Sequence, residues 1–240
     1  MLFTPASVLA TALALASCIQ GKPIFLLAGD STTHEPAGWG DGFLNYTLKS
    51  TSFGFNYGVS GASLTPYLRS APYQTILEQI AKYKATKTVF VTCQFGHNDQ
   101  KNADYKAAFE GSLYQFVDEI TTAGGVPIII TPLTRRAFSG GKVIENLADE
   151  TAVALSVAAA TDSRFIDLNK ASTDYVNAIG NSAAQAYNYI GTDRTHLNPW
   201  GTIVFGRLVS DLLVAKYDDI AKETSRNVTM SYQLANGIPA

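Results

Sequence analysis

The sequence predicts an α/β protein built on a parallel sheet. Apolar runs of strand length alternate along the chain with segments whose apolar residues recur at helical spacing. This alternation is typical of right-handed β–α–β units, which place a helix between parallel strands. A chain of 240 residues has the length of one such domain. We therefore expect a single domain over residues 22–240, organised around the run that ends in Gly29-Asp30-Ser31.

Five segments have the composition of buried strands. The first, from Ile24, is apolar and stops at Gly29, as expected of a strand in the middle of a sheet. The other four predicted strands are Phe53 to Tyr57, Thr88 to Cys93, Val126 to Thr131 and Arg164 to Asp167.

Helical patterns lie between the strands. The predicted helices cover Gly42 to Thr51, Tyr73 to Ala85, Tyr105 to Ala123, Glu145 to Ala160 and Pro199 to Tyr217. The proline that opens the last one suits a first helical turn, where the missing N–H costs no hydrogen bond. The polar stretch from about Ala171 to Thr192 is expected to be an irregular surface segment. The tail after Glu223 is expected to be loosely attached.

The N-terminal residues predict a secreted protein, and the composition and charge exclude several other classes. Residues 1–17 are apolar and small and end near Ala14-Leu15-Ala16, which predicts a secretory signal peptide cleaved before about residue 21. Lipidation at Cys18 is the bacterial alternative, and a membrane anchor is a further one. The hydrophobic content of 46% argues against disorder, and the net charge of −2 gives no reason to expect nucleic acid or an anionic membrane as partner.

Two sequons and one cysteine need an interpretation. Asn45-Tyr46-Thr47 and Asn227-Val228-Thr229 are glycosylation candidates in a eukaryotic host. Cys93 lies in an apolar run, so we expect a buried, inert thiol rather than a catalytic one.

Polar clusters follow the predicted strands. They are Asp30-Ser31, Gly58 to Ser63, Gln94 to Asp99, Pro132 to Arg136 and, before the last helix, Asp193 to Gly201. Because parallel strands end at the same edge of a sheet, residues distant in sequence can meet there. This edge is the predicted site.

Ser31 is a candidate nucleophile, and His196 is its candidate base. Asp193, three residues before His196, could accept a hydrogen bond from Nδ1 and leave Nε2 to take the serine proton. The alternatives are a helix N-cap for Ser31 and a surface ion pair for Asp193 and His196.

An acyl-transfer serine also needs donors for an oxyanion. The Ser31 and Gly61 backbone N–H groups and the Asn98 side-chain amide are the available ones. Each residue alone could equally be an ordinary turn residue.

These motifs resemble, in sequence order, the blocks of the SGNH (GDSL-type) hydrolases. The strings LAGDST, GWG, FGHNDQK and DRTHLNPWG are similar to those of the rhamnogalacturonan acetylesterase-like carbohydrate esterases. The resemblance covers about residues 24–215. It implies a flavodoxin-like, three-layer α/β/α fold with a five-stranded parallel sheet. It also implies Ser31 as nucleophile, Asp193 and His196 as its partners, and Gly61 and Asn98 as oxyanion-hole residues.

The resemblance further implies a secreted, monomeric serine esterase that removes acetyl groups from a plant cell-wall polysaccharide, with rhamnogalacturonan or pectin as substrate. It implies no metal and no cofactor. The alternatives are a GDSL-type lipase or lysophospholipase acting on longer acyl esters, and an inactive polysaccharide-binding protein on the same fold.

Substrate contacts are the least determined part of the prediction. Related esterases often carry an arginine beside the second-block glycine and an Asn-rich loop after the fourth strand. This chain instead has Gly61-Ala62-Ser63 and Thr131-Pro-Leu-Thr-Arg135-Arg136. Arg135 and Arg136 could pair with a uronate carboxylate or be solvated loop charges. Sugar-stacking or packing roles are open for Trp39, Tyr67 and Trp200.

Overall fold

Five parallel strands form one sheet in the computed structural model, which describes residues 21–240. The strands of the chain are β1 (Gly21–Gly29), β2 (Phe53–Asn56), β3 (Lys87–Gln94), β4 (Val126–Ile130), β5 (Phe138–Ser139), β6 (Lys142–Val143) and β7 (Arg164–Ile166). The large sheet has the order β2-β1-β3-β4-β7, and β5 and β6 form a separate antiparallel hairpin. The signal peptide predicted for residues 1–17, and Cys18, lie outside the described residues.

The helices are α1 (Gly40–Tyr46), α2 (Leu64–Tyr67), α3 (Ala71–Tyr83), α4 (Ala103–Ala123), α5 (Ala148–Ala160), α6 (Leu168–Ala184), α7 (Pro199–Lys216), α8 (Asp218–Ala221) and α9 (Val228–Ala235). Single 3₁₀ turns cover Asp99–Lys101 and Gln185–Tyr187. Within residues 21–240, none of these helices combines the length and the apolar character that crossing a bilayer would require.

Side chains of β1 alternate between two cores, because successive residues of a strand point to opposite faces. Phe25 and Leu27 belong to the core formed with α1, α6 and α7. Ile24 and Leu26 belong to the core formed with α3, α4 and α5. The sheet is therefore the middle of three layers, and the predicted α/β/α fold is confirmed.

The strand order fixes the place of the functional edge. The chain leaves β1 towards β2 on one side and later returns to β3 on the other, which is the flavodoxin-like order. Ligand sites in such sheets lie at this reversal, beyond the carboxyl ends of the strands. Here Gly29 at the end of β1 pairs with Gln94 at the end of β3.

The segment Ala171 to Thr192 is not irregular as predicted, because most of it lies in α6. Asp167 caps this helix by accepting a hydrogen bond from the Lys170 N–H at 3.0 Å. Tyr175 and Val176 are buried in the core, whereas much of the exposed face carries asparagine, serine and aspartate. Because of those polar residues, the narrow apolar stripe of the helix was not recognisable in the sequence. A break at Gly180, whose φ is +78°, further interrupts the pattern.

The tail after Glu223 is also not loosely attached. Its helix α9 packs against α7 and buries Met230 and Leu234, which are 7% and 6% exposed. Asn227 caps the helix through a 3.1 Å hydrogen bond from the Met230 N–H. Two buried apolar side chains in a short polar tail were too weak a signal to predict a helix.

Replacing Leu234 by alanine tests this packing. The change removes a buried side chain, so the free energy of unfolding should fall by about 2–5 kcal/mol. Val228→Ala is the matched control, because Val228 is 75% exposed and should change stability by no more than about 0.5 kcal/mol. Urea unfolding followed by circular dichroism measures both. Equal effects of the two variants would contradict the packing of α9.

Candidate active site

Ser31 lies in the turn that follows β1. The N–H groups of Thr33 and His34 donate to the Asp30 carbonyl at 3.1 and 3.0 Å and fold the chain back at the end of the strand. The next helix, α1, begins only at Gly40, so Ser31 is not its N-cap. Its Oγ lies 2.8 Å from Nε2 of His196. The serine oxygen therefore faces a base and does not cap a helix.

His196 is held by Asp193. The ring Nδ1 lies 2.8 Å from Oδ2 of Asp193, and the second carboxylate oxygen accepts the N–H groups of Thr195 and His196 at 2.8 and 2.9 Å. With Asp193 ionised, Nδ1 carries the hydrogen, and Nε2 is left as the acceptor for the serine proton. Partial burial opposes the charge on Asp193. The N–H groups of His196 and Thr195 and the imidazole outweigh it and lower the pKa of the carboxyl below 3.8.

Arg136 supports the loop that carries His196. Its side chain is fully buried, with Nε donating to Oδ1 of Asn188 at 2.8 Å and Nη2 donating to the His196 carbonyl at 2.6 Å. Burial lowers the pKa of its guanidinium to about 10. The prediction that Arg136 contacts a uronate is therefore wrong, because its donors point into the protein and fix the histidine loop.

The predicted oxyanion donors lie in the turn and loops that follow β1, β2 and β3, at the carboxyl edge of the sheet. Gly61 has a φ of +77° and is exposed. Within residues 21–240, the Ser31 and Gly61 backbone N–H groups have no hydrogen-bond acceptor. Asn98 donates through Nδ2 to the Ala62 carbonyl at 3.0 Å, which leaves its second amide hydrogen. These groups can take a negatively charged oxygen without first breaking a backbone hydrogen bond.

A buried polar cluster below the serine turn holds it to β3. Oε1 of Gln94 accepts from Thr32 Oγ1 at 2.8 Å and from the indole nitrogen of Trp39 at 2.9 Å. Trp39 is thus completely buried, and its predicted contact with sugar is wrong. Tyr67, at 2% exposure, is likewise a core residue.

Asp30 and His97 form a second Asp–His pair, which is buried and which no local sequence pattern predicts. Asp30 accepts the N–H and the hydroxyl of Thr32 at 2.8 and 2.7 Å, and its other oxygen lies 3.4 Å from Nδ1 of His97. Nε2 of His97 lies 2.9 Å from the Leu133 carbonyl. Burial opposes ionisation of Asp30, but His97 and Thr32 together lower its pKa. His97 therefore links three strand-end loops and does not face the serine.

Asp99 connects the two loops that carry the predicted oxyanion donors Gly61 and Asn98. One of its carboxylate oxygens accepts from the Leu64 N–H at 2.7 Å, and the other from the Gly96 N–H at 3.0 Å. The side chain has no exposed surface. Burial raises its pKa from 3.8 to about 6, against the lowering effect of those two N–H groups. The sequence motif allowed the role of the neighbouring Asn98 to be predicted. The role of Asp99 could not be predicted in this way, because it depends on a contact with Leu64, which is distant in sequence.

The remaining predicted residues lie at the rim or on the surface. Arg135 is half-buried, with Nε donating to Thr195 Oγ1 at 3.2 Å and Nη2 to the His97 carbonyl at 3.4 Å. Trp200 is 48% exposed and donates to the Ala240 carbonyl at 2.9 Å. The glycosylation candidates Asn45 and Asn227 are both exposed. Cys93 is buried, and burial raises the pKa of its thiol.

The raised pKa of Asp99 predicts a pH dependence of stability. Between about pH 4 and pH 6 the folded state holds a proton on Asp99 that the unfolded state has released, so this residue stabilises the fold less as the pH rises. The unfolding free energy of the wild type minus that of Asp99→Asn should fall by about 3 kcal/mol over this interval and then level off. Urea unfolding of both proteins at several pH values measures it. A difference that does not change with pH would contradict the assignment.

Known proteins resemble this chain in sequence. Residues 27–202 match the model of the GDSL-like Lipase/Acylhydrolase family. Over 158 residues the chain is 32% identical to the rhamnogalacturonan acetylesterase RhgT of Bacillus subtilis (strain 168), a match that covers 61% of this chain and 66% of RhgT, slightly less than two thirds of it. It is 26% identical over 199 residues to the probable rhamnogalacturonan acetylesterase YesY of the same organism, covering 77% of this chain and 89% of YesY.

Solved structures share the fold. The crystal structure of protein YXIM from Bacillus subtilis matches with a TM-score of 0.69 at 25% identity, over 82% of this chain and 57% of that one. Axe2, an acetylxylan esterase from Geobacillus stearothermophilus, matches with a TM-score of 0.59 at 18% identity, over 82% and 96% of the two chains. At 18% identity the second likeness concerns the fold alone.

The family match begins inside β1, just before Ser31, and ends in the first turn of α7, just after His196, so it contains Ser31, Asp193, His196 and the predicted oxyanion donors Gly61 and Asn98. The resemblance to SGNH (GDSL-type) hydrolases is thereby confirmed, and this chain belongs to the GDSL-like lipase/acylhydrolase family.

Proposed function

We propose that this protein is a secreted serine esterase that hydrolyses acetyl esters on a plant cell-wall polysaccharide, with acetylated rhamnogalacturonan as its substrate. The observation that carries the proposal is the continuous hydrogen-bond chain Asp193–His196–Ser31, with both ring nitrogens at 2.8 Å from their partners. The relatives RhgT and YesY support the choice of polysaccharide. The apolar N-terminal sequence supports secretion.

The first half of the reaction forms an acyl-serine. Ser31 Oγ attacks the acetyl carbonyl carbon while Nε2 of His196 takes the hydroxyl proton. The carbonyl oxygen becomes negatively charged and is stabilised by the N–H groups of Ser31 and Gly61 and by the Asn98 amide. As the bond to the sugar oxygen breaks, His196 returns the proton to that oxygen, and the deacetylated sugar leaves.

The second half regenerates the enzyme. Water attacks the acetyl-serine carbon, and His196 takes a proton from it. The same three donors stabilise the second tetrahedral intermediate. Its collapse returns the proton from His196 to Ser31 Oγ and releases acetate. Asp193 remains ionised throughout and stabilises the imidazolium that forms in each half.

Arg135 is the one predicted uronate contact that remains in the proposal. It lies at the carboxyl end of β4 and contacts Thr195, next to His196. Its side chain is partly exposed. Its Nη1 and Nη2 donate to Oδ1 of Asn146 and to the His97 carbonyl and hold the side chain in place. A fixed guanidinium next to the loop that carries His196 suits a substrate whose sugar carries a carboxylate. Trp200 stays in the proposal as an exposed ring that a sugar can stack on.

Ser31→Ala should abolish acetate release while leaving the fold intact, because it removes the attacking atom. We would measure acetate released from acetylated rhamnogalacturonan, homogalacturonan and xylan, with a long-chain acyl ester alongside. Ser139→Ala, an exposed serine in the β5–β6 hairpin, is the matched control and should retain full activity.

Each pattern of products has a distinct meaning. Acetate release from rhamnogalacturonan alone, lost in Ser31→Ala, agrees with the proposal. Acetate release from xylan alone contradicts rhamnogalacturonan as the substrate. Cleavage of only the long-chain ester would make the protein a lipase. Polysaccharide binding without any hydrolysis would make it a binding protein.

Asn98→Ala should lower kcat by roughly 10²–10³, as expected on removal of one oxyanion-hole donor. KM should change little, since the donor acts on charge that develops after binding. Steady-state kinetics with a soluble acetyl ester separate the two constants. A wild-type kcat in this variant would show that Asn98 is not an oxyanion donor.

A further inference from the structure

The Asn98 side chain is held at both ends of its amide. Nδ2 donates one hydrogen to the Ala62 carbonyl at 3.0 Å, and Oδ1 accepts a hydrogen bond from Nζ of Lys101 at 2.9 Å. An asparagine amide has a single oxygen and two N–H hydrogens, so these contacts decide which end is the donor. Once they are made, only one amide hydrogen is left for the substrate oxyanion.

We propose that Lys101 is a positioning residue of the oxyanion hole, acting through Asn98. Its ammonium group fixes the orientation of the amide and draws electron density towards Oδ1. A hydrogen-bond chain in which each member polarises the next strengthens the donor at its end. The remaining N–H of Asn98 is therefore a better donor to the negative oxygen that develops in the reaction than a free asparagine would be.

The 3₁₀ turn Asp99–Lys101 brings the ammonium group to this position. The Lys101 N–H donates to the Asn98 carbonyl at 3.0 Å, which folds the chain so that the two side chains lie three residues apart on the same side. The buried Asp99 anchors the turn through Leu64 and Gly96. Lys101 therefore contacts Asn98 from a turn whose position is fixed by the buried hydrogen bonds of Asp99.

Lys101 differs from the other lysines that make polar side-chain contacts. Within residues 21–240, the lysines with a carboxylate partner are Lys22, Lys106 and Lys170. Four further lysines donate to backbone carbonyls: Lys49, Lys84, Lys87 and Lys216. Among the lysines of residues 21–240, Lys101 alone donates to a side-chain amide oxygen, that of Asn98. An exposed cation gains little stability from a surface contact. Its removal should accordingly affect the reaction more than the fold.

The inference rests on the proposed ester hydrolysis by Ser31 but not on the identity of the polysaccharide. A small uncharged substrate, 4-nitrophenyl acetate, therefore tests it directly. With this probe, attraction between Lys101 and an acidic polysaccharide cannot contribute to the rate. Release of 4-nitrophenol by the wild type tests the esterase activity separately from the role of Lys101.

The experiment compares kcat and KM of the wild type, Lys101→Met and Lys106→Met. Lys106 is the matched control, because it is an exposed lysine near the start of α4 that pairs with Asp149 at 2.7 Å. We expect Lys101→Met to lower kcat about 3- to 10-fold with KM and thermal stability unchanged, as for the loss of part of one hydrogen bond in the transition state. Lys106→Met should keep the wild-type kcat, although it removes the same charge.

A double-mutant cycle shows whether Lys101 acts through Asn98. In an Asn98→Ala background the amide is absent, so the Lys101→Met change should have no further effect on kcat. Complete loss of the effect in this background supports the proposal. A structural or long-range electrostatic role would instead lower kcat by the same factor in both backgrounds.

Three results would overturn the inference. They are a wild-type kcat in Lys101→Met, a change confined to KM, and an undiminished effect in the Asn98→Ala background. A wild type that does not hydrolyse 4-nitrophenyl acetate would overturn this inference together with the proposed function. An active wild type with any of the three results would overturn the role of Lys101 alone.

Discussion

The pairing of β1 with β3 places Gly29 opposite Gln94, and the position of the reacting groups depends on this register. Both strands end at the same height, so the turn with Ser31 and the loop with Asn98 leave the sheet side by side. Gln94 strengthens the arrangement, since its side-chain oxygen binds Thr32 of the serine turn and Trp39 at the start of α1. A shift of one residue would turn the side chains of β1 to the opposite core and separate the serine from its donors.

Polar groups buried beneath the edge maintain the geometry above it. Asp30, His97, Asp99 and Arg136 are all 2% exposed or less, and each contacts a loop that carries Ser31, a predicted oxyanion donor or His196. Burying such groups is costly unless they are hydrogen-bonded. Their contacts run between loops that are far apart in sequence. The interior polar groups therefore fix the relative positions of the loops that carry the serine, the histidine and the predicted oxyanion donors.

The fold and the contacts among Ser31, Asp193 and His196 were predictable because their signals are local. The apolar runs of β1, β3 and β4 and the motifs around Ser31, Asn98 and His196 each lie within a few consecutive residues. The exceptions share a different cause. Helix α6 shows a narrow apolar stripe among polar residues, and α9 is stabilised by the surface it covers. The interior position of Arg136 and Trp39 depends on partners at Asn188 and Gln94, which no local pattern identifies.

The hydrogen bonds that the Asp193 carboxylate makes are contained in four consecutive residues. Asp193 binds the ring of His196 with one oxygen and the N–H groups of Thr195 and His196 with the other. The same carboxylate thus shapes the turn and orients the imidazole. Tyr189 and Ile190 bind the same segment through their backbone, to the His196 carbonyl and the Asp193 N–H at 2.9 Å each. Their side chains are 47% and 60% exposed. Such an arrangement is modular: substitutions at these exposed positions can diversify the rim during evolution while the proton-transfer geometry is inherited unchanged.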